Sequence, residues 1–230
     1  MLNGWLILGF VVSVALLLAG WLFWQLMIAE GVFWGQKWVT RLYDANAHRY
    51  EAIKAYQPQF EEERIGEPLA LALYGLKSPK VLDVACGTGR VGRALHAFSP
   101  QIPVFGVDAS LAMLRWRETL QSLQIAPSSA QALAVQLPFG NQQFAAVTCM
   151  EAMEFMPSAR AALREWVRVL APAGVILLTH RIGWQARLAS RDYLNREELT
   201  QALTELGLVA VVFQSWTTDY DLVWAHHAGD

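Results

Sequence analysis

Charge is scarce in this sequence, and the first 29 residues carry none of it. Only 17% of the 230 residues are Asp, Glu, Lys or Arg, where an ordinary soluble domain has roughly 25%. A basic excess is missing too. The 18 Lys and Arg face 20 Asp and Glu, so no electrostatic case for nucleic-acid binding exists. Two cysteines, Cys86 and Cys149, are too few for a disulfide framework or a four-thiolate zinc site, and small core residues are the simplest reading of both. His226 and His227 have no acidic or cysteine partner at ligand spacing, so no metal is expected. Internal repeats, low-complexity tracts and flexible linkers are also lacking. A hydrophobic content of 54% excludes disorder.

What is present in place of charge is one long apolar run, from Leu2 to Ala29, with Glu30 the first charged residue. As a helix it would span about 42 Å at about 1.5 Å per residue, more than a hydrocarbon core of about 30 Å requires. Trp5 stands near one end; Trp21, Phe23, Trp24, Phe33, Trp34 and Trp38 crowd the other, as rings at headgroup level do. A cleaved signal peptide is the rival reading. It would carry a basic leader and an apolar stretch of about 7–15 residues, and no Lys or Arg precedes this run. Lys37, Arg41 and Arg49 follow the run, so the positive-inside rule predicts a cytoplasmic C-terminal portion. The expected organisation is a transmembrane anchor over 1–30, a helical lid or linker over 31–78 and a folded domain over 79–230.

In the middle segment, Tyr43, Ala47, Tyr50 and Lys54 fall on one face of a helix that Pro58 interrupts. A further short helix begins at Glu67. From Lys80 the pattern alternates. KVLDVAC, PVFGVD, AQALAV, FAAVTCM and GVILLTH read as strands, and RVGRALHAF, ASLAMLRWRETLQSLQ and SARAALREWVRVLA as the helices between them. Ser158 is a predicted N-cap. Asn195 with Glu198 makes a capping box before a helix that Gly207 stops. LVAVVFQSW and YDLVWAHH close the chain as neighbouring strands. Alternating strands and helices predict an α/β fold with a largely parallel sheet covered on both faces.

The informative constellation is strand, DVACGTGR, helix. Gly87 and Gly89 permit positive φ and close backbone approach, so a ligand can meet loop amides and the positive end of the next helix. Asp83 near the strand end could meet a cationic group. Asp108 ends the second strand 19 residues beyond Gly89, where a carboxylate can accept ribose hydroxyls. Gly87, Gly89 and Gly92 also satisfy GxGxxG, a pattern that serves nicotinamide cofactors equally. An Asp four residues before the first glycine suits an ammonium better than a pyrophosphate.

These residues resemble class I S-adenosylmethionine-dependent methyltransferases. VLDVACGTGR is similar to their first motif and VFGVDASLAML to their second. LPF followed by FAAVTCMEAMEFMP, then LREWVRVLAPAG and YLNREELTQALTELGL, resemble the branch acting on small molecules and lipid quinones. The resemblance covers roughly residues 40–227. It implies a Rossmann-like seven-stranded, mostly parallel sheet with the last strand antiparallel and helices on both faces, to which the apolar run adds one N-terminal transmembrane helix. It implies S-adenosyl-L-methionine as cofactor, with Asp83 on the methionine moiety, Ala85, Gly87 and Gly89 admitting it, and Asp108 and Ala109 at the ribose. Met113, Leu133 and Ala134 would lie at the adenine, and Met150 or Glu151 at the methyl-transfer mouth.

Four positions depart from the family pattern. Leu133 stands where an Asp often contacts the adenine, Ala145 where an Asp often follows Phe, Phe155 where a His sometimes acts, and Ala85 where Gly is common. Glu151, His180 and Tyr43 are the candidate catalytic residues. Arg181 is a candidate substrate contact beside His180. Tyr50, like Tyr43, reads either as packing or as part of a lid. The expectation is a membrane-anchored methyltransferase acting on a small lipophilic acceptor: a quinone precursor, a lipid amine or a thiol. The alternatives are a non-catalytic, cofactor-binding membrane assembly factor and a nicotinamide-dependent oxidoreductase.

Overall fold

The computed structural model describes residues 2–27, 29–120, 128–188 and 190–228. Seven strands form one sheet: β1 (Val81–Val84), β2 (Val104–Asp108), β3 (Ser129–Gln131), β4 (Phe144–Cys149), β5 (Leu170–Arg181), β6 (Leu208–Ser215) and β7 (Tyr220–His227). Their order is β3-β2-β1-β4-β5-β7-β6. The pairs from β3 through β5 are parallel. β7 runs antiparallel to both of its neighbours, as expected of the final strand.

Both faces of the central strands are buried, which is why β1, β4 and β5 read as apolar runs, while the edge strand β6 is largely exposed. Along β5, Ile176 and Leu178 enter one apolar cluster with α8 (Ala159–Val169) and α9 (Arg196–Glu205), while Val175 and Leu177 enter the other with α5 (Glu67–Ala72) and α6 (Arg90–His96). α8 starts where Ser158 accepts the Ala161 amide at 3.3 Å. α9 has the Asn195–Glu198 capping box in both directions and is followed by Gly207 at φ 84°.

Ahead of the sheet come α1 (Leu2–Met27), α2 (Gln36–Asn46), α3 (Tyr50–Lys54) and α4 (Pro58–Glu61). α1 contains Gly4–Gln25, with mean hydropathy 2.6 and almost the whole span exposed, Gln25 at its end being buried. Among the described residues it is the one helix long and apolar enough to cross a membrane. The continuous helix read through Tyr43, Ala47, Tyr50 and Lys54 is broken. A single tight turn at Ala47–Arg49 separates α2 from α3, and Ala55 ends α3 in the left-handed conformation, before Pro58 opens α4.

Two further expectations shift. The third strand is shorter than AQALAV. It ends at Gln131, and Leu133 and Gln136 then bridge across a turn. β5 begins at Leu170 rather than Gly174: Leu170 pairs with Phe144, and Ala171–Gly174 bulge before Val175 pairs with Ala146. α7 (Leu111–Leu120) covers the described part of its expected span, whose end at 121–124 lies outside the described residues.

Candidate active site

β1 ends at Val84, and the chain turns through Ala85 at φ 53°, Gly87 at φ 51° and Gly89 at φ 84° into α6. The Gly87 amide donates to Asp108 Oδ2 at 2.8 Å, and the Ser110 amide to Asp108 Oδ1 at 2.8 Å. The glycine loop and the end of β2 are thereby fastened through one carboxylate. Burial pushes the Asp108 pKa up, and the Ser110 and Gly87 amides oppose that push by bonding to the charged form. Tyr50 covers the loop. A Cβ at Gly87 would lie 3.8 Å from that ring, an ordinary contact, so the positive φ, not lack of space for a methyl, explains the glycine.

A cleft of about 720 Å³, its open mouth included, lies over these groups. One end is walled by Ala85, Gly87, Asp108, Ala109 and Ser110, together with the turn Ala132–Val135 that follows the shortened β3. The opposite wall is apolar, with Met150, Ala152, Phe155 and Met156. α2 supplies Gln36, Val39, Thr40 and Tyr43 as a roof. That roof is pinned by Asp44, whose Oδ1 accepts from Ser110 Oγ at 2.6 Å and from the Ala112 amide at 3.2 Å.

Glu151 follows β4 with a left-handed φ of 50°. Its amide donates to Thr179 Oγ1 at 2.6 Å. Its carboxylate takes Lys54 Nζ at 2.7 Å and Arg90 Nη1 at 2.8 Å. Burial alone would raise the Glu151 pKa, but the Arg90 and Lys54 charges outweigh it and hold the group below the usual carboxylate range. Arg90 lies between the rings of Tyr56, 4.5 Å away, and Trp216, 4.8 Å away, with Glu61 at 3.1 Å from its Nε.

Residues 81–174, from β1 into β5, match the family described as a methyltransferase domain. That stretch of the chain is a methyltransferase domain. A ubiquinone biosynthesis O-methyltransferase of Pseudomonas fluorescens is 30% identical over 110 residues, 46% of this chain and 45% of that protein. A demethylmenaquinone methyltransferase of Thermotoga maritima is 28% identical over 144 residues, 62% of this chain and 61% of that one. The chain thus matches about half of the length of these curated relatives. An S-adenosylmethionine-dependent methyltransferase of Clostridium acetobutylicum has the same fold, with a TM-score of 0.65 at 16% identity over 81% of this chain and 99% of that one.

The expected site residues divide. Ala85, Gly87, Asp108, Ala109, Leu133, Ala134, Met150, Glu151 and Tyr43 all border the cleft. Asp83, Gly89, Met113 and His180 are not on its wall. Asp83 is buried beneath the loop, where Thr148 Oγ1 donates to its Oδ1 at 2.8 Å, and burial pushes its pKa up to about 6. Met113 is packed inside the domain. His180 is buried with its Nε2 2.9 Å from the Leu194 carbonyl, its ring lying along Tyr193 and edge-on to Phe213. Arg181 Nη1 lies 3.6 Å from Glu154, beside a second, more polar cleft on the far side of Glu151. Tyr43 donates its hydroxyl to Glu30 Oε2 at 2.8 Å, and its ring touches Tyr50 and Phe155. Burial first, and then the Glu30 charge, raise its pKa well above that of a free phenol.

The sequence reading missed three contributors. Arg117 is fully buried beneath the loop, 3.8 Å from Cys86 Sγ. Its signal was Gly106 in mid-strand: any side chain there would collide with the Arg117 guanidinium. Lys54 and Asp44 were the others. Each meets its partner far along the chain, so local pattern carried no sign of them.

Proposed function

We propose that this protein is a membrane-anchored methyltransferase that transfers the methyl of S-adenosylmethionine to a small lipophilic acceptor. The observation carrying this reading is a cleft with Asp108 at one end and an apolar wall of Met150, Phe155 and Met156 at the other, roofed by the helix that follows the apolar α1. The quinone-biosynthesis relatives support the acceptor class of quinone precursors, with lipid amines and thiols as other members.

The cleft residues fit the cofactor. The Asp108 carboxylate has lone pairs beyond the two amides it accepts, enough for ribose hydroxyls. Leu133, Ala134 and Val135 offer an apolar slot and backbone groups for adenine. Gln36 borders the cleft and its Oε1 has no partner, leaving an acceptor for a cationic or N–H group. Ala85 and Ala109 complete the cofactor side, and Gly87 admits it closely. The bound cofactor supplies an electrophilic methyl, so the protein chiefly aligns the acceptor and excludes water.

Glu151, ionised and paired to Lys54 and Arg90, is a weak base. Its role in this reading is to position the methyl-transfer mouth. Tyr43 and Phe155 form the apolar bed of the acceptor. His180 faces away from the cleft, so this reading gives it no part in proton transfer. An acceptor that is a thiolate, an amine or an acidic phenol requires no strong base.

Membranes containing the full-length protein, incubated with methyl-labelled S-adenosylmethionine, should place label in the solvent-extractable lipid fraction. Label confined to water-soluble molecules or protein would overturn the lipophilic acceptor. Calorimetry showing that the protein binds the cofactor with no transfer under any condition would favour the assembly-factor reading.

A further inference from the structure

The membrane end of α1 is locked to α2 by a chain of rings. Trp21 on α1 lies 6.0 Å from Trp34, and Trp34 lies 5.7 Å from Trp38 on α2. Trp24 and Phe33 make a second contact at 5.1 Å. Trp21 and Trp38 are each about half exposed, at 48% and 51%. The exposed apolar surface of α1 therefore continues without a gap onto α2.

α2 has two working faces. Gln36, Val39, Thr40 and Tyr43 roof the cleft. Lys37, Trp38 and Arg41 are exposed on the other side, with the Arg41 guanidinium 5.4 Å above the Trp38 ring. The carboxylates of this segment are already engaged within the protein, the exposed Asp44 included. Glu30 accepts from Tyr43, Asp44 from Ser110 and Ala112, and Glu51 pairs with Arg93. The Lys37–Trp38–Arg41 patch is cationic and aromatic, the chemistry that complements an anionic headgroup layer.

We infer that the Lys37–Trp38–Arg41 face of α2 lies on the phospholipid headgroups, so that one helix serves as both cleft roof and membrane-contacting wall. The acceptor then reaches Tyr43 and Phe155 past the edge of α2 from the bilayer, without crossing bulk water. This rests on the membrane-anchor reading of α1, and the test separates the two.

The full-length protein carries single cysteine substitutions for spin labelling: Val12→Cys in mid-α1, Lys37→Cys on the outer face of α2, and Tyr74→Cys, a strongly exposed position after α5. The native Cys86 and Cys149 are buried and take no label. In vesicles of phosphatidylglycerol and phosphatidylcholine, collision with oxygen is compared with collision with a water-soluble nickel chelate. The expected result is a hydrocarbon signature at 12, an oxygen-to-nickel ratio at 37 several-fold above that at 74, and an aqueous signature at 74. Adding Arg41→Glu should lower the ratio at 37 at least twofold. Labels at 37 and 74 that are equally nickel-accessible, with 12 in hydrocarbon, overturn the α2 inference while α1 stands as an anchor. Label 12 in water overturns both.

Discussion

Lys54 and Glu151, 97 residues apart, close on each other at 2.7 Å and join the N-terminal helices to the end of β4. Arg90 takes the other carboxylate oxygen at 2.8 Å. Glu151→Gln keeps the shape and removes the charge that both cations face. Breaking a largely buried pair of this kind costs about 3 kcal/mol. Because the Glu151 pKa is held low in the folded state, its stabilisation is present above the unfolded carboxylate value and disappears as pH falls through the folded one. Thermal unfolding followed from pH 7 down to pH 3 should therefore show a large gap between the two proteins at neutral pH and a small one in acid. A gap that does not change with pH would show that the pair contributes nothing electrostatic.

On the proposed reading, cofactor binding depends most on the Asp108 carboxylate. Asp108→Ala removes the acceptor of the Gly87 and Ser110 amides as well as the proposed ribose contact. Titration calorimetry with S-adenosylmethionine should show affinity reduced at least tenfold, or about 1.4 kcal/mol. Asp108→Asn, which keeps one acceptor oxygen, should fall between the two and retain the fold by circular dichroism. Unchanged affinity in both variants would place the nucleoside elsewhere.

Asp83 has the opposite pH behaviour to Glu151. Its folded pKa is raised to about 6 by burial. Ionisation therefore opposes folding: the cost is nil in acid, where both states are protonated, and grows as pH rises from about 4 to 6. Asp83→Asn removes that cost and can still accept from Thr148. It should melt a few degrees higher than the parent at pH 7.5 and at the same temperature near pH 4. Its effect on cofactor affinity should be smaller than that of Asp108→Ala, since Asp83 is not on the cleft wall. A larger loss of affinity would show that Asp83 reaches the methionine moiety after all.

Trp166 is fully buried on α8 and donates its indole N–H to the Ala134 carbonyl at 3.0 Å, supporting the turn proposed to hold adenine. Trp166→Phe leaves that carbonyl without this donor, at a cost of about 1–3 kcal/mol. The melting temperature should fall and cofactor affinity should weaken with it. A stable variant with unaltered affinity would detach this turn from binding.

The strand–glycine loop–helix unit, the acid at the end of β2, the caps at Ser158 and Asn195 and the long apolar helix were all legible in the sequence. Each is written in residues adjacent or within a turn of one another: period, positive-φ glycine, capping side chain, uncharged length. What the sequence could not decide was which way a side chain points once both faces of the sheet are apolar. His180 shares the parity of Ile176 and Leu178 and turns towards Tyr193 and Phe213, while Thr179, one residue earlier, meets the Glu151 amide. Alternation along a strand fixes that two neighbours diverge, but a strand buried on both sides gives no sign of which neighbour faces the site. The Lys54–Glu151 pair, the Asp44 pin and the place of Arg117 under Gly106 likewise required the sheet to assemble, because ion pairs and steric fit act across space between residues that no local period relates.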